Sequence, residues 1–398
     1  MAFLESGEKT ECFGCEACAQ ICARHAIAMV EDEEGFRYPL IDPQKCISCG
    51  SCRVVCPWEN PPARRPVGRK AFGGYHTNSS IRKASTSGGA FSAIVQAWSN
   101  HDGVIFGAVA DGLDVSHQSA SGKDFQKFRK SKYVQSRMGS SYESVKRLLR
   151  DGQKVLFSGT PCQIAGLRAY LRGTDQSCLL TVEMVCEGVP SPLFIRKYAQ
   201  HIWERFGSTV KELDYRDKDG RRWDFEVMST LLWNGRKLKI DRWFNPFWSI
   251  WLAHLMSRPS CYKCPYAVRE RVADITLGDL WGVHLYCPEL YGHNGGASLI
   301  ACSTEKGKRV IAESSRFLYG HELDMDTAVK YQSPLRKPIA MNPNREKFMD
   351  DLRNLPYDKL CRKWAKRPTL KLLWSKYVWG NRQKIFFWNL MKTIGLNR

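Results

Sequence analysis

Two runs of four cysteines at one repeated spacing constrain this chain more than any other feature. Cys12, Cys15, Cys18 and Cys22 fall at C-x2-C-x2-C-x3-C, and Cys46, Cys49, Cys52 and Cys56 repeat the pattern, with Pro57 after the last. This double spacing serves two [4Fe–4S] cubanes in which the fourth cysteine of each run ligates the other cluster. Cys12, Cys15, Cys18 and Cys56 are therefore expected to hold one cluster, and Cys46, Cys49, Cys52 and Cys22 the other. A two-residue step lets successive thiolates reach adjacent irons, while the fourth arrives from across a pseudo-symmetric unit. Zinc is the competing reading of C-x2-C pairs. Zinc sites rarely use three evenly stepped cysteines and a fourth at x3, twice. The spacing therefore points to a segment that moves electrons.

A chain of 398 residues suits two or three domains, each able to bury a core. Clusters persist in a reducing interior, which points to the cytoplasm. The opening MAFLESGEKTEC has neither a basic n-region nor an apolar h-region, so no signal peptide is expected. No apolar run approaches the roughly 20 residues that span a bilayer. Lys and Arg number 60 against 40 Asp and Glu, a net charge of +20. Such a surface can serve nucleic acid, anionic lipid, acidic proteins or phosphate-bearing cofactors, and charge alone does not choose among them.

Residues 1–60 read as the cluster module, with a strand, an acidic turn at Asp32–Gly35 and a return strand between the two runs. Residues 61–70, rich in Pro and Arg, read as a linker. From Ala71 strands and helices alternate: AFGGYH, a helix opened by the Gly-rich turn of IRKASTSGGAFSAIVQAWSN, then GVIFGAVA. After them come helix, strand, tight turn and helix across YESVKRLLRDGQKVLFSGTPCQIAGLRAYLRG, the strand CLLTVEMVC, and a helix begun by Pro192. Alternation of this kind predicts an α/β body with a partly parallel sheet. We divide that body into 71–150 and 151–340. Past residue 208 the texture turns strand-like in VKELDYRD, WDFEVMSTLLW and KLKIDRW, followed by an aromatic helix, NPFWSIWLAHLM.

Two Gly-rich turns lie between a strand and a helix: Ser85-Thr86-Ser87-Gly88-Gly89 and Gly159-Thr160-Pro161-Cys162-Gln163. Glycine permits close backbone approach, and a helix N-terminus offers free amides and the positive dipole end to a phosphate. Either turn alone could be ordinary turn chemistry. Together, beside clusters that deliver single electrons, they suit a two-electron partner such as a flavin and its pyrophosphate. The whole is thus expected to be α+β, a ferredoxin-like 2[4Fe–4S] module joined to an α/β flavin-binding body. Cys162, Cys186 and the C-x2-C pair Cys261/Cys264 could complete a third [4Fe–4S] site. The alternative is that Cys162 and Cys186 are small buried residues and only the pair matters. Cys178, Cys287, Cys302 and Cys361 read as ordinary thiols.

SxSGG at Ser85–Gly89, KYVQS at Lys132–Ser136, VLFSGTPCQIAGL at Val155–Leu167, CEGVPSP at Cys186–Pro192, and C-x2-C followed by DITLGDLWG at Asp274–Gly282 resemble the coenzyme F420 hydrogenase/dehydrogenase beta-subunit family. The resemblance covers roughly residues 5–300. It implies an oxidoreductase that binds FAD and a [4Fe–4S] cluster, with hydride exchange between the flavin and coenzyme F420 or a related acceptor. It also implies that Ser85, Ser87, Gly88 and Gly89 line the flavin site, with Gly159, Thr160, Pro161 and Gln163 in the turn beside the isoalloxazine. Cys162, Cys186, Cys261 and Cys264 match the family's inner cluster, and Asp279 and Trp281 lie in its C-terminal motif. Catalytic residues stay unassigned. Two departures stand out. Ala23 replaces the proline usual after the first run, and Cys186-Glu187-Gly188 carries glutamate where the family has histidine. The stretch NPNREKFMDDL at 342–352 resembles bacterial members that accompany polysaccharide-synthesis proteins.

Residues 341–398 read as a basic aromatic extension. From Lys359 onward there are eleven Lys or Arg and no acidic residue, interleaved with Trp364, Trp374, Tyr377, Trp379, Phe386, Phe387 and Trp388. Phe387, Leu390, Met391 and Ile394 form an apolar stripe at helical spacing. Packing against the body or a partner subunit, and peripheral contact at the inner membrane face, are the two readings we weigh; nucleic acid is not expected. Partners are then a redox protein or coenzyme F420. The alternatives are a reductase of another acceptor, for example in surface polysaccharide biosynthesis, and a non-catalytic electron-relay subunit.

Overall fold

The computed structural model describes residues 3–99, 102–219, 223–291 and 295–394. Residues 395–398 and the Trp388 side chain, part of the expected extension, lie outside the described residues. In the N-terminal module, β1 (Ile27–Glu31) and β2 (Arg37–Ile41) pair antiparallel, Ile27 opposite Ile41 and Glu31 opposite Arg37. Asp32 makes the turn between them by accepting from the amides of Glu34 and Phe36 at 3.0 and 2.8 Å. Gly35 closes it at φ +86°, and a Cβ there would stand 2.7 Å from the Leu193 amide nitrogen, so only glycine lets the hairpin sit against the body.

The body is built on one eight-stranded sheet. Its strands are β3 (Lys70–His76), β4 (Val104–Asp111), β5 (Asp114–Ser121), β6 (Val155–Gly159) and β7 (Leu179–Met184). A separate antiparallel sheet of β8 (Val210–Asp217), β9 (Val227–Leu232) and β10 (Lys237–Ile240) interrupts the series, which resumes with β11 (Ile275–Asp279), β12 (Ser298–Cys302) and β13 (Leu318–Asp324). The order is β13-β3-β12-β11-β7-β6-β4-β5. β4, β6, β7 and β11 are mutually parallel, and both flanks are antiparallel. The partly parallel sheet expected from the alternating pattern is therefore present, with antiparallel strands at its edges.

The apolar run VLFSG suits a strand covered on both faces. Val155 and Phe157 enter one core with Ile164 and Leu167 of the helix Pro161–Tyr170, whereas Leu156 packs on the opposite face with Ile94 of the helix Ala90–Ser99. Phe13, Cys15, Ala17 and Val55 of the N-terminal module belong to the first of these cores, so the cluster module completes the body's interior. Residues 61–70, read as a linker, are pinned along the body. Arg65 and Arg271 exchange backbone hydrogen bonds, and the Gly68 amide donates to Cys302 O.

The smaller sheet packs with the helices Pro192–Phe206 and Pro246–Leu252 around Trp248 and Phe247. Phe348, Leu352 and Leu360 from the C-terminal extension are fully buried in the same core. The first part of the extension is therefore structural, and exposed apolar residues gather only from Leu370 onward. Among the described residues no helix is long and apolar enough to cross a membrane.

Candidate redox centres

The two cysteine runs share one backbone design. Gly14 and Glu16 in the first run, and Ser48 and Gly50 at the equivalent positions of the second, all adopt positive φ, between 53° and 73°. Glu16 and Gly50 lead into the short helices Ala17–Ile21 and Ser51–Val54. At each start an amide donates to the first thiol: Gly14 to Cys12 Sγ at 3.3 Å and Ser48 to Cys46 Sγ at 3.4 Å. The Ala26 amide does the same for Cys22, also at 3.3 Å.

Cys12, Cys15, Cys18, Cys52 and Cys56 line a common cavity with Phe13, Pro57 and Trp58. Burial first, and then the neighbouring thiols of Cys12, Cys18 and Cys56, push the Cys15 thiol well above its ordinary pKa. Cys56 of the second run thus stands among the first run's thiols, the crossing that paired cubanes require. Cys52 likewise feels Cys46 and Cys49 after burial.

A second set of thiols converges inside the body. Cys162 lies in the first turn of the helix Pro161–Tyr170, Cys186 follows β7, Cys261 lies within the turn Pro259–Lys263 and Cys264 directly follows it. All four line one cavity with Phe13, Gly188, Arg258 and Tyr266. Burial and the mutual proximity of the thiols push Cys261 up to about 11 and Cys264 to about 12. Gly188, at φ +91°, lets the chain pass Cys261, where a Cβ would stand 3.2 Å from Cys261 Cβ. Phe13 lines this cavity as well as that of Cys12 and Cys56, packed against Tyr266 at 5.5 Å and Trp58 at 5.2 Å between ring centroids.

The turn Gly159–Gln163 serves to present Cys162. Gln163 Oε1 accepts from the Thr160 amide at 2.9 Å, and Thr160 Oγ1 lies 3.2 Å from Cys162 Sγ. Gln163 Nε2 donates to Ser136 Oγ, which bonds His117 Nδ1 at 2.8 Å, and His117 Nε2 meets Ser158 O at 2.8 Å. A carbonyl only accepts, so the imidazole carries its proton on Nε2 and accepts from Ser136 at Nδ1. Burial lowers the His117 pKa to about 4, which keeps the ring neutral.

At the other turn, Ser85 Oγ donates to Ile81 O and Ser87 Oγ to Ala297 O. The Gly88 amide is taken up by Ser298 Oγ at 2.9 Å, and a Cβ on Gly88 would stand 2.5 Å from Gly74 O. Close approach to the neighbouring strand therefore requires glycine at 88. Gly89, at φ +91°, precedes the helix Ala90–Ser99, and its carbonyl accepts from the Ser92 and Ala93 amides. Cations surround this turn. Lys218 Nζ donates to the carbonyls of Arg82, Ser87 and Gly295, and burial lowers its pKa to about 7. The Ser131 amide donates to Thr86 Oγ1, while Arg129 Nε donates to Ser92 Oγ.

Sheet direction relates the two turns. β3 runs antiparallel to β12, which runs antiparallel to β11, so β3 points the same way as β11, β7 and β6. The turn after β6, Cys186 after β7, Asp279 at the end of β11 and the Gly-rich turn beyond β3 therefore leave the sheet along one edge. Open α/β sheets bind ligands at that edge. Arg216, missed by sequence reasoning, reaches it from β8, its Nη1 donating to Asp279 Oδ2 at 3.0 Å under the Trp281 ring. Lys218 and Arg258 were missed for the same reason: a lone cation in a strand or turn carries no spacing rule.

No curated protein matches the chain. A chain of the F420-reducing [NiFe] hydrogenase complex from Methanosarcina barkeri is similar to it at 18% identity, over 76% of this chain and 92% of that one, with a TM-score of 0.44. Residues 11–60 match the family model of the 4Fe-4S dicluster domain. Residues 152–323 match the family model for the C terminus of the coenzyme F420 hydrogenase/dehydrogenase beta subunit, so the chain is an iron–sulfur protein that joins a dicluster domain to the C-terminal region of this beta-subunit family.

Proposed function

We propose that the chain is an iron–sulfur flavoprotein oxidoreductase. In this reading Cys12, Cys15, Cys18 and Cys56 hold one [4Fe–4S] cluster, Cys46, Cys49, Cys52 and Cys22 a second, and Cys162, Cys186, Cys261 and Cys264 a third. FAD would be held at the sheet edge by the Gly89 turn, with Lys218 and Arg129 beside it, and by the turn Gly159–Gln163. The observation that carries the reading is the convergence of four sequence-distant thiols on one cavity that shares Phe13 with the first cluster's cavity. Bound there, the clusters would supply single electrons and the flavin hydride exchange with coenzyme F420 or a related acceptor. The chain's own part is to bury the thiols, to keep water out with Phe13 and Tyr266, and to hold Cys162 in place through Gln163, Ser136 and His117. Anaerobic reconstitution tests this. About twelve irons per chain, at four per cubane, a flavin spectrum and its bleaching by reduced F420 are expected. About eight irons would remove the third cluster. Flavin without bleaching would favour another acceptor, and no flavin at all would leave an electron relay.

The segment from Leu370 supports peripheral contact with an anionic bilayer. Leu370 is 86% exposed, Trp374 62%, Phe386 63% and Ile394 56%, in a stretch that carries no acidic side chain. Apolar and aromatic side chains among cations suit the interface of anionic lipid.

A further inference from the structure

Arg258 is 1% exposed and lies between the two innermost cysteine sets. Its Nε donates to Cys12 O at 2.8 Å, Nη1 to Gln135 Oε1 at 3.1 Å and Nη2 to Arg37 O at 3.0 Å. Nη2 also points at Cys12 Sγ, 3.6 Å away, and the guanidinium stands 4.3 Å from the centre of the Tyr38 ring. On its other side the same side chain lines the cavity of Cys162, Cys186, Cys261 and Cys264.

Among the described residues none of these hydrogen-bond partners is a carboxylate. Three other buried arginines do have one: Arg271 pairs with Glu183, Arg216 with Asp279 and Glu226, and Arg345 with Glu34, whereas Arg82, which also lacks one, stacks on the Tyr75 ring far from any cysteine set. A buried cation without a countercharge is strongly disfavoured. The groups beside it that can bear negative charge are the Cys12 thiol and the Tyr38 phenol on one side and the Cys162 and Cys261 thiols on the other, and burial raises the Tyr38 pKa and so keeps the phenol neutral.

We propose that Arg258 is the shared countercharge of the Cys12–Cys15–Cys18–Cys56 site and the Cys162–Cys186–Cys261–Cys264 site, and holds both at a higher reduction potential than their thiolates alone would give. Each one-electron reduction adds negative charge to a site, and a fixed cation in a low-dielectric interior stabilises the reduced form. Arg258 is a positioning residue, since it touches a ligand thiol and a neighbouring wall but no acceptor. The inner half of the proposal rests on the third-cluster reading above; the outer half does not.

The test is an EPR-monitored redox titration of the anaerobically reconstituted full chain, with iron and sulfide counted on the same samples. Arg258→Gln should lower the midpoint of the Cys12 set at wild-type iron content, and Arg258→Lys should stay near wild type. Gln135→Glu, which sets a carboxylate against the guanidinium and gives up the Gln135 Nε2 bonds to Phe13 O and Gly14 O, should lower it as well. An unchanged potential in iron-replete Arg258→Gln, or a drop in Arg258→Lys as large as that in Arg258→Gln, overturns the proposal. If Arg258→Gln does not retain iron, Gln135→Glu is read instead, and an unchanged midpoint there overturns it equally. A wild-type count of about eight irons, at four per cubane, would remove the third cluster and the inner half of the proposal. The shift at the Cys12 set would still decide the outer half.

Discussion

Gly166 of the helix Pro161–Tyr170 faces Cys15 of the cluster module so closely that a Cβ on Gly166 would stand 3.1 Å from Cys15 Sγ and 3.0 Å from Tyr142 Oη. Glycine is a poor choice inside a helix unless something must come near, and here a thiol does. Gly166→Val would drive two methyls into a packed junction at a cost of about 1–3 kcal/mol. The expected result is a lowered Tm together with a lowered iron count, since the same clash displaces Cys15. A variant with wild-type iron and Tm would show that the module does not depend on this contact.

Glu34 and Arg345 make a buried, two-pronged ion pair, Nη1 bonding Oε1 at 3.0 Å and Nη2 bonding Oε2 at 2.5 Å. It joins the turn of the cluster hairpin to the helix Arg345–Asn354. Removing one partner strands the other charge, which costs about 3–5 kcal/mol. Glu34→Ala and Arg345→Ala should each destabilise strongly, and the double variant by much less than their sum. Additive losses in urea unfolding would mean that the two side chains act independently.

His117 gives the fold a pH dependence of defined sign. Its native pKa of about 4 lies below the ordinary value of 6.5, so the unfolded chain binds the proton more readily. Stability from this residue is present above about pH 6.5 and falls as pH drops toward 4. Between pH 7.5 and 5 the loss should be about 2 kcal/mol. His117→Gln should flatten the dependence of the urea midpoint over that range; a slope identical to wild type would assign the acid sensitivity to other groups.

Lys218 ties three carbonyls around the turn that follows β3. Lys218→Met should lower the flavin content of reconstituted protein by tenfold or so, as expected when about 1.4 kcal/mol of binding is lost, with iron per chain unchanged. Loss of iron in parallel with flavin would mean that the lysine supports the whole fold.

Local pattern carries the parts of this molecule that depend on neighbours in sequence. The paired cysteine runs, the apolar strand Val155–Gly159 with its Pro-started helix, and the Asp32–Gly35 turn all follow from spacing and turn chemistry. Contacts between distant segments leave no such trace. Residues 61–70 look like a linker by composition, yet Arg65 is held by the backbone of Arg271. The Gly88 amide is taken up by the hydroxyl of Ser298, 210 residues away in sequence, a contact no local pattern signals. Arg258 and Arg345 matter only for what the fold brings beside them.

The exposed apolar residues beyond Leu370 should bind anionic lipid. Phe386, Phe387, Leu390 and Ile394 are all exposed on or beside the helix Asn381–Thr393, while Tyr377 bonds Asp241 and so anchors the preceding turn to the body. Each Lys or Arg near an anionic surface adds about 1 kcal/mol, screened by salt, and the buried rings add an apolar term that salt leaves intact. The full chain should co-sediment with vesicles containing phosphatidylserine and far less with phosphatidylcholine alone, and 0.5 M salt should weaken the association. Phe386→Ser with Phe387→Ser should reduce binding more than tenfold and leave iron content unchanged, because neither ring belongs to the buried cores. Absence of binding to the anionic vesicles would overturn the membrane assignment and turn the search toward a protein partner for this face.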